Sequence, residues 1–155
     1  MTTMKTAREL WEAVYQAVEE VNGFLLYELC DGEVEIRTAS QETKGAKRLG
    51  DMFAQQRGLY TELEHKVDSI VESGDGTALA VELTLTGIPN GTDTRLTWNV
   101  VEVIRADAGR IVSWHAMLDR TGLIQQIQQL HAAKAGGSGG PGAGKSGGAG
   151  TSWKA

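Results

Sequence analysis

Glu102 is the residue best placed to do chemistry, because it lies in a segment of otherwise apolar, strand-forming residues. Alternation along a strand puts Trp98, Val100 and Ile104 on the same face as Glu102. A carboxyl group in an apolar cavity has a raised pKa, since desolvation disfavours its charged form, and it can then act as a general acid. The alternative is a strand glutamate that pairs with a neighbouring arginine or faces water, because acids are rarely buried.

Three further side chains could belong to the same functional site as that carboxyl group. Tyr15 can donate a hydrogen bond from its hydroxyl group, and Trp11 lies one helical turn before it. The same spacing also suits a plain stripe of core residues. Asp119 offers a second carboxyl group at the end of the last strand segment, as a catalytic acid. It also precedes an apolar helical run, which is where a helix N-cap belongs, so both interpretations of Asp119 stay open.

The histidines and the cysteine do not predict a metal site. His115 follows Trp114 directly, so in a strand the two side chains point to opposite faces. We expect His65 in a loop and His131 at a helix end, and no cluster of His, Cys, Asp and Glu has the spacing of metal ligands. Cys30 has no basic neighbour in sequence to activate it and is interpreted as a small buried hydrophobe.

Residues 139–146 match the pattern GxxxxGK[ST] of a phosphate-binding loop. Such a loop works because a strand delivers it and a helix follows, so that backbone N–H groups converge on phosphate. Here no strand pattern precedes the match, and the residues that follow it are mostly glycine. We therefore interpret the match as a chance occurrence within a glycine-rich segment.

Composition divides the chain of 155 residues into two parts. Nine of its 20 glycines fall within residues 136–155, which predicts a disordered Gly/Ser-rich tail after a folded domain of residues 1–135. Without the two lysines of the tail, 13 basic residues face 20 acidic ones. So negative a surface argues against binding nucleic acid or an anionic membrane. With one cysteine, no long apolar run and no apolar leader, the sequence favours a cytoplasmic protein.

The positions of apolar residues predict helices first and strands afterwards. Apolar residues recur at three- and four-residue spacing in three segments, residues 6–21, 44–57 and 123–130, and residues 24–30 suit a further short helix. Strand-like segments, separated by short turns, occupy residues 34–37, 66–73, 77–87, 93–105 and 110–118.

The strand segments and the turns between them define an α+β fold with a curled antiparallel sheet. Leu79, Val81, Leu83 and Leu85 share one face of the segment 77–87. Residues 98–104 are apolar on both faces, which predicts a central strand covered on both sides.

Several segments together resemble the SnoaL-like polyketide-cyclase family of the nuclear transport factor 2-like superfamily. The resemblance is carried by Val101–Asp119 with Thr121–Ile127, and also by Leu10–Val18, Gly45–Leu49 and Ala80–Gly87. It covers about residues 7–132 and implies a cone in which a curved sheet wraps the first helix around a hydrophobic pocket. It also implies a homodimer formed through the sheet and a hydrophobic small molecule as ligand, with pocket walls at Trp11, Met52, Phe53, Trp98 and Trp114.

The resemblance suggests roles for single residues. Glu102 falls where ketosteroid isomerases carry the acid that donates to a developing enolate, and Tyr15 lies within one residue of their oxyanion-donating tyrosine. Asp119 matches a recurring family position. Ala116, however, stands where the cyclases and epoxide hydrolases carry a catalytic aspartate, and the apolar Ile36 lies near the position of the isomerase base.

Two functions are therefore expected from the sequence. The first is a cofactor-free isomerase, cyclase or hydrolase that performs acid–base chemistry on a hydrophobic polyketide-, steroid- or epoxide-like ligand. Glu102, Tyr15 and Asp119 are its candidate catalytic residues. The second is a non-catalytic ligand-binding or dimerisation module of the same shape, which Ala116 and Ile36 favour.

Overall fold

The computed structural model describes residues 3–137, and within them it has four helices and six strands. The helices are α1 (Ala7–Glu19), α2 (Phe24–Leu29), α3 (Ala46–Leu59) and α4 (Arg120–Gly137). The strands are β1 (Cys30–Arg37), β2 (Glu42–Lys44), β3 (Tyr60–Glu72), β4 (Ala78–Pro89), β5 (Leu96–Asp107) and β6 (Arg110–Leu118). The predicted α+β class is confirmed. Apart from Gly136 and Gly137, which end α4, the predicted tail lies outside the described residues, as does the phosphate-loop match.

Helix α1 forms where its apolar stripe predicts it. The hydroxyl oxygen of Thr6 accepts a hydrogen bond from the backbone N–H of Glu9 at 3.2 Å, which caps the first turn. Leu10 and Val14 on the apolar face are at most 1% exposed. This face packs against β4, β5 and β6, so α1 lies across the inner face of the sheet.

The six strands form one sheet in the order β2-β1-β6-β5-β4-β3. Neighbours from β6 through β3 are antiparallel hairpins, as the turn sequences predict. The expectation of a purely antiparallel sheet is wrong at one point, because β1 pairs with β6 in parallel. Between β1 and β6 the chain forms β2, α3 and the strands β3 to β5, and so long a connection allows parallel pairing.

The sheet curls until its two edges face the same helix. Helix α3 contacts β1 and β2 at one edge and β3 at the other. Irregular register within the β3–β4 and β1–β6 pairs provides the bends. The curled sheet and its helices therefore enclose an interior at the end of the molecule where α3 lies.

The two central strands differ in how well the sequence describes them. On β4 the alternation is confirmed, since Leu79, Val81, Leu83 and Leu85 are all at most 6% exposed. On β5 the sequence predicts a strand that is buried on both faces. In the single chain this prediction is wrong, because Val101 on the outer face is 41% exposed. The described part of the chain has no second layer over this face of the sheet.

Strand β3 begins at Tyr60, six residues earlier than the alternation predicts. His65 therefore lies in a strand, not in a loop as expected, and its ring is 4.6 Å from that of Tyr15. Charged residues on β3 conceal the alternation in the sequence. Strand β2 has only three residues, none of them apolar, and the sequence gives no sign of it.

Candidate functional site

Glu102 lies at the middle of β5 with its side chain on the inner face of the sheet, and it is 3% exposed. Its register partners are Val81 on β4 and Ala116 on β6. The carboxyl group is therefore surrounded by strands on both sides, with α1 packed across them. The interpretation of Glu102 as a glutamate turned to water is wrong, because the inner face of this strand is the protein core.

Three aromatic side chains donate hydrogen bonds to the Glu102 carboxyl group. On α1, the indole Nε1 of Trp11 lies 3.0 Å from Oε1, and the hydroxyl of Tyr15, one turn later, lies 2.7 Å from the same atom. On β6, the indole Nε1 of Trp114 lies 3.1 Å from Oε2. No arginine or lysine within residues 3–137 takes part, so in this part of the chain neutral donors alone hold the carboxyl group.

Burial and hydrogen bonding act on Glu102 in opposite directions. Desolvation raises the pKa of its carboxyl group, while the bonds from Trp11, Tyr15 and Trp114 lower it, and the net direction is upward. The pKa of Tyr15 is raised well above its usual value by burial and by the adjacent Glu102 charge. Tyr15 therefore keeps its proton and remains a donor.

One acceptor position of the carboxylate is left over. A carboxylate accepts about four hydrogen bonds, and here Oε1 accepts two while Oε2 accepts one from the described residues. Indole N–H groups only donate, so a protonated Glu102 cannot give its proton to Trp11 or Trp114. Oε2 is thus the atom at which Glu102 can take a proton from a ligand or give one to it.

A cavity of about 80 Å³ lies against this carboxyl group. Tyr15 and Glu102 form the polar part of its inner end, and exposed or half-exposed side chains, Thr38, Ser40 and Arg120, surround its outer end. Between the two ends the walls are apolar: Ile36, Leu49, Met52, Phe53, Leu85, Val100, Trp114, Ala116 and Leu118. Such a cavity suits a small apolar molecule that has one polar group directed inward.

Three aromatic rings hold the inner wall in shape. The ring of Phe53 meets that of Trp114 edge-on at 5.5 Å and that of Tyr15 at 5.7 Å. These are favourable edge-to-face arrangements. Because Tyr15 and Trp114 also donate to Glu102, the packing of Phe53 fixes the donors as well as the wall.

The structure brings most of the predicted site residues together. Met52, Phe53 and Trp114 line the cavity. Trp11 is 3% exposed and touches the site as a donor to Glu102 instead of lining the cavity. Trp98 is placed elsewhere, because it stacks on Tyr60 at 5.0 Å and does not line the cavity.

Asp119 lies apart from the cavity, at the start of α4. Its Oδ1 accepts a hydrogen bond from the backbone N–H of Gly122 at 3.0 Å, which is the bond of an N-cap.

We expect Asp119→Ala to lower the free energy of unfolding by about 0.5–2 kcal/mol, since the cap bond is lost. Asp119→Asn keeps an acceptor and should preserve stability. Urea unfolding checks both variants, and a ligand-binding loss at unchanged stability would contradict the cap.

Sequence reasoning missed the outer end of the cavity. Thr38 and Ser40 are on the β1–β2 turn, Gln56 is on α3, and Arg120 is the first residue of α4. For Arg120 a signal existed, because it continues the alternating series Trp114, Ala116, Leu118 along β6. The turn residues had no such signal, since a strand as short as β2 cannot be recognised from its pattern.

Within residues 3–137 no group of three or more His, Cys, Asp or Glu side chains could hold a metal ion. The same part of the chain has no helix long and apolar enough to cross a membrane. Cys30 is free and fully buried, and burial raises the pKa of its thiol to about 12.

A family model, the SnoaL-like domain, matches residues 11–114. This agrees with the resemblance seen in the sequence. No curated protein matches the chain in sequence.

Solved structures with the same fold include three that illustrate its range. An LEH-like epoxide hydrolase of M. tuberculosis is 20% identical with a TM-score of 0.66, over 88% of this chain and 96% of that one. A nuclear transport factor 2-like protein of Burkholderia thailandensis is 17% identical with a TM-score of 0.67, over 80% and 98%. IdmH of Streptomyces antibioticus, a proposed polyketide cyclase, is 16% identical with a TM-score of 0.64, over 79% and 98%. The cone-shaped fold expected from the sequence is thereby confirmed, while identities this low carry no activity with them.

Proposed function

Because the chain belongs to the SnoaL-like domain family, we propose that it binds a small hydrophobic molecule and performs cofactor-free acid–base chemistry on it. The observation that carries this proposal is the placement of Glu102. It lines the cavity, it is buried, and it is held by three donors from α1 and β6. Burial of an acid without a basic partner is costly, so a site that maintains one supports a chemical use for it.

The chemistry follows from the acceptor position left on Oε2. As a carboxylate, Glu102 removes a proton from a carbon or hydroxyl group of the ligand, and as an acid it gives that proton back at another atom. The three donors keep the carboxyl group in one orientation and stabilise its charge while the proton is on the ligand. Its raised pKa places both protonation states closer to neutral pH than in an ordinary glutamate.

The ligand classes we propose are polyketide-, steroid- and epoxide-like molecules. Two structures of the same fold have names that refer to an epoxide hydrolase and a proposed polyketide cyclase. All three classes combine an apolar skeleton with a carbonyl, hydroxyl or epoxide oxygen, which suits apolar walls that end at one carboxyl group. At about 80 Å³ the cavity admits only part of such a skeleton, so larger members need the outer end to open.

We expect ligands of one such class to shift the indole N–H signals of Trp114 and Trp11 saturably, because both groups bond to Glu102. The measurement is a nuclear magnetic resonance titration of the isotope-labelled full chain with steroids, polycyclic ketones and terpenoid epoxides. Trp98, which lies off the cavity, serves as the internal reference.

Turnover of the active class of ligand should fall by about 100-fold or more in Glu102→Gln.

The matched control for that loss is Glu28→Gln. Glu28 is exposed on the helix α2, so this substitution removes the same charge away from both the cavity and the sheet. Equal activity in wild type and Glu102→Gln would contradict the catalytic role of Glu102. Absence of saturable binding across the panel would contradict a small-molecule function altogether.

A non-catalytic binding or association module is the second candidate function, and one observation favours it. Among the described residues that line the cavity, Glu102 is the single acid. The family resemblance implies a catalytic aspartate at the position of Ala116, directly opposite Glu102, and a base near Ile36, and both of these residues are apolar. Saturable binding without conversion of any ligand would select this candidate.

We also propose that the chain forms a homodimer through the outer face of the sheet. Cross-strand register places Val71, Ala80 and Val103 in one row on this face, and Val101 beside Met117 in the next. Val71 is 65% exposed and Met117 is 63% exposed. Burying such a patch against a second copy supplies favourable apolar contact.

We expect Met117→Lys to convert the dimer to a monomer, since a charge at this position would be buried against the second copy. Sedimentation equilibrium gives the mass of the species. Phe24→Lys, at an 84% exposed position on α2, adds the same charge away from the sheet and should leave the dimer intact. A wild-type protein that sediments as a monomer, or a Met117→Lys dimer, would contradict the proposed face.

The last part of the proposal concerns the limits of the functional domain and the cellular compartment of the protein. We propose that residues 1–135 form the functional domain, with residues 136–155 as a Gly/Ser-rich linker, and that the protein works in the cytoplasm. The described core elements end with α4, which supports the proposed limits of the domain. The only cysteine is a buried free thiol, which supports the cytoplasm as the compartment.

A further inference from the structure

Among the described residues that line the cavity, Arg120 has the only basic side chain. It is exposed and begins α4, two residues after Leu118, and in the sequence it continues the alternation of Trp114, Ala116 and Leu118. Those three residues form one apolar wall of the cavity from its inner end outward. Arg120 therefore stands at the outer end of the wall that begins beside Glu102.

The guanidinium group of Arg120 has no ion pair or hydrogen bond with any residue of the described part of the chain. The adjacent acid, Asp119, directs its Oδ1 to the backbone N–H of Gly122 and forms no ion pair with Arg120. A cation beside an apolar cavity that has no ion-pair partner among the described residues can bind an anion.

We propose that the ligand is an apolar carboxylate whose anionic group pairs with Arg120 while its other polar group reaches Glu102. This inference rests on the proposed small-molecule function and names its substrate class. Carboxylate and guanidinium match in a two-point hydrogen-bonded geometry. Thr38, Ser40 and Gln56, at the same end of the cavity, add polar side chains around that pair.

The length of the apolar wall along β6 limits the length of the ligand. Ala116 lies opposite Glu102, and Arg120 is four residues further along the chain, which at about 3.3 Å per residue is at most about 13 Å. The ligand's anionic group and its second polar group are therefore at most about this far apart. The two polar groups of the ligand should therefore stand at opposite ends of an apolar body about the size of one substituted aromatic ring.

The test uses para-acetyl derivatives of phenylacetate, phenylpropionate and phenylbutyrate, each beside its methyl ester, with the full-length protein. Affinity is measured by calorimetry and by the shift of the Trp114 indole N–H signal. We expect the best acid to bind about tenfold more tightly than its ester, since an ester cannot form the ion pair. In Arg120→Gln that preference should disappear, while the affinity for the ester stays the same.

Two controls accompany this variant. Arg120→Lys keeps the charge without the two-point geometry and should retain part of the preference. Arg110→Gln removes the same charge at the exposed start of β6, away from the cavity, and should behave as wild type. Acid and ester bound equally well, with Trp114 shifted by both, would overturn the role of Arg120 and leave the small-molecule function standing. If no acid and no ester binds, the proposed function fails and this inference fails with it.

Discussion

We expect Glu102→Ala to lower the free energy of unfolding by about 3–5 kcal/mol. The variant removes the only acceptor that the described residues offer to the Trp11 and Trp114 indole N–H groups and to the Tyr15 hydroxyl group. Each buried donor left without an acceptor costs about 1–3 kcal/mol. Removing a buried carboxyl group returns part of that cost, because the desolvation of Glu102 no longer opposes folding. Urea unfolding followed by circular dichroism gives the difference.

Glu28→Ala is the matched control for this prediction. Glu28 is exposed on the helix α2 and makes no side-chain bond among the described residues. Its removal should change stability by less than about 0.5 kcal/mol. If Glu102→Ala were as mild as this control, the three donors would have found other partners, such as water in the cavity, and their dependence on Glu102 would be incorrect.

How far the sequence predicts this fold depends on the periodicity of each element. The α1 stripe and the β4 alternation are strong local patterns, and both elements form where the patterns place them. The parallel pairing of β1 with β6 is set by the curl of the whole sheet, and no local pattern encodes it. The early start of β3 at Tyr60 was hidden because its charged side chains leave little apolar alternation to recognise.

The site shows the same division between local and tertiary information. Alternation places Glu102 among apolar neighbours, and helical spacing places Trp11 and Tyr15 on one face of α1. That both aromatic groups donate to one oxygen of Glu102, with Trp114 on the other, depends on how α1 crosses β5 and β6. Trp98 illustrates the converse. It shares a face with Glu102, yet its stacking on Tyr60 takes it out of the cavity lining.

We expect the stability of the protein, relative to that of Glu102→Gln, to fall as the pH rises from about 4.5. In the unfolded chain the carboxyl group of Glu102 ionises near pH 4.5, whereas burial raises its pKa in the folded protein. Between these two pKa values the folded state holds one proton more than the unfolded state. Stability then falls with pH by up to about 1.4 kcal/mol per unit, and the fall ends above the folded pKa. The stabilisation that Glu102 contributes is therefore fully present below pH 4.5, and it is lost as the pH rises through the pKa of the folded state.

Subtracting the Glu102→Gln curve isolates this one group from the others. The pKa of Asp75 is lowered to about 2 by hydrogen bonds from Ser73 and Thr77, so its linkage acts below the window and is common to both proteins. Burial raises the pKa of Tyr15 and of Cys30, whose linkages act at alkaline pH. Urea unfolding between pH 4.5 and 8, together with the Trp11 and Trp114 indole signals, follows the titration directly. A difference that rises with pH would mean that the three donors outweigh burial, which would make Glu102 a permanently ionised base and exclude its use as an acid.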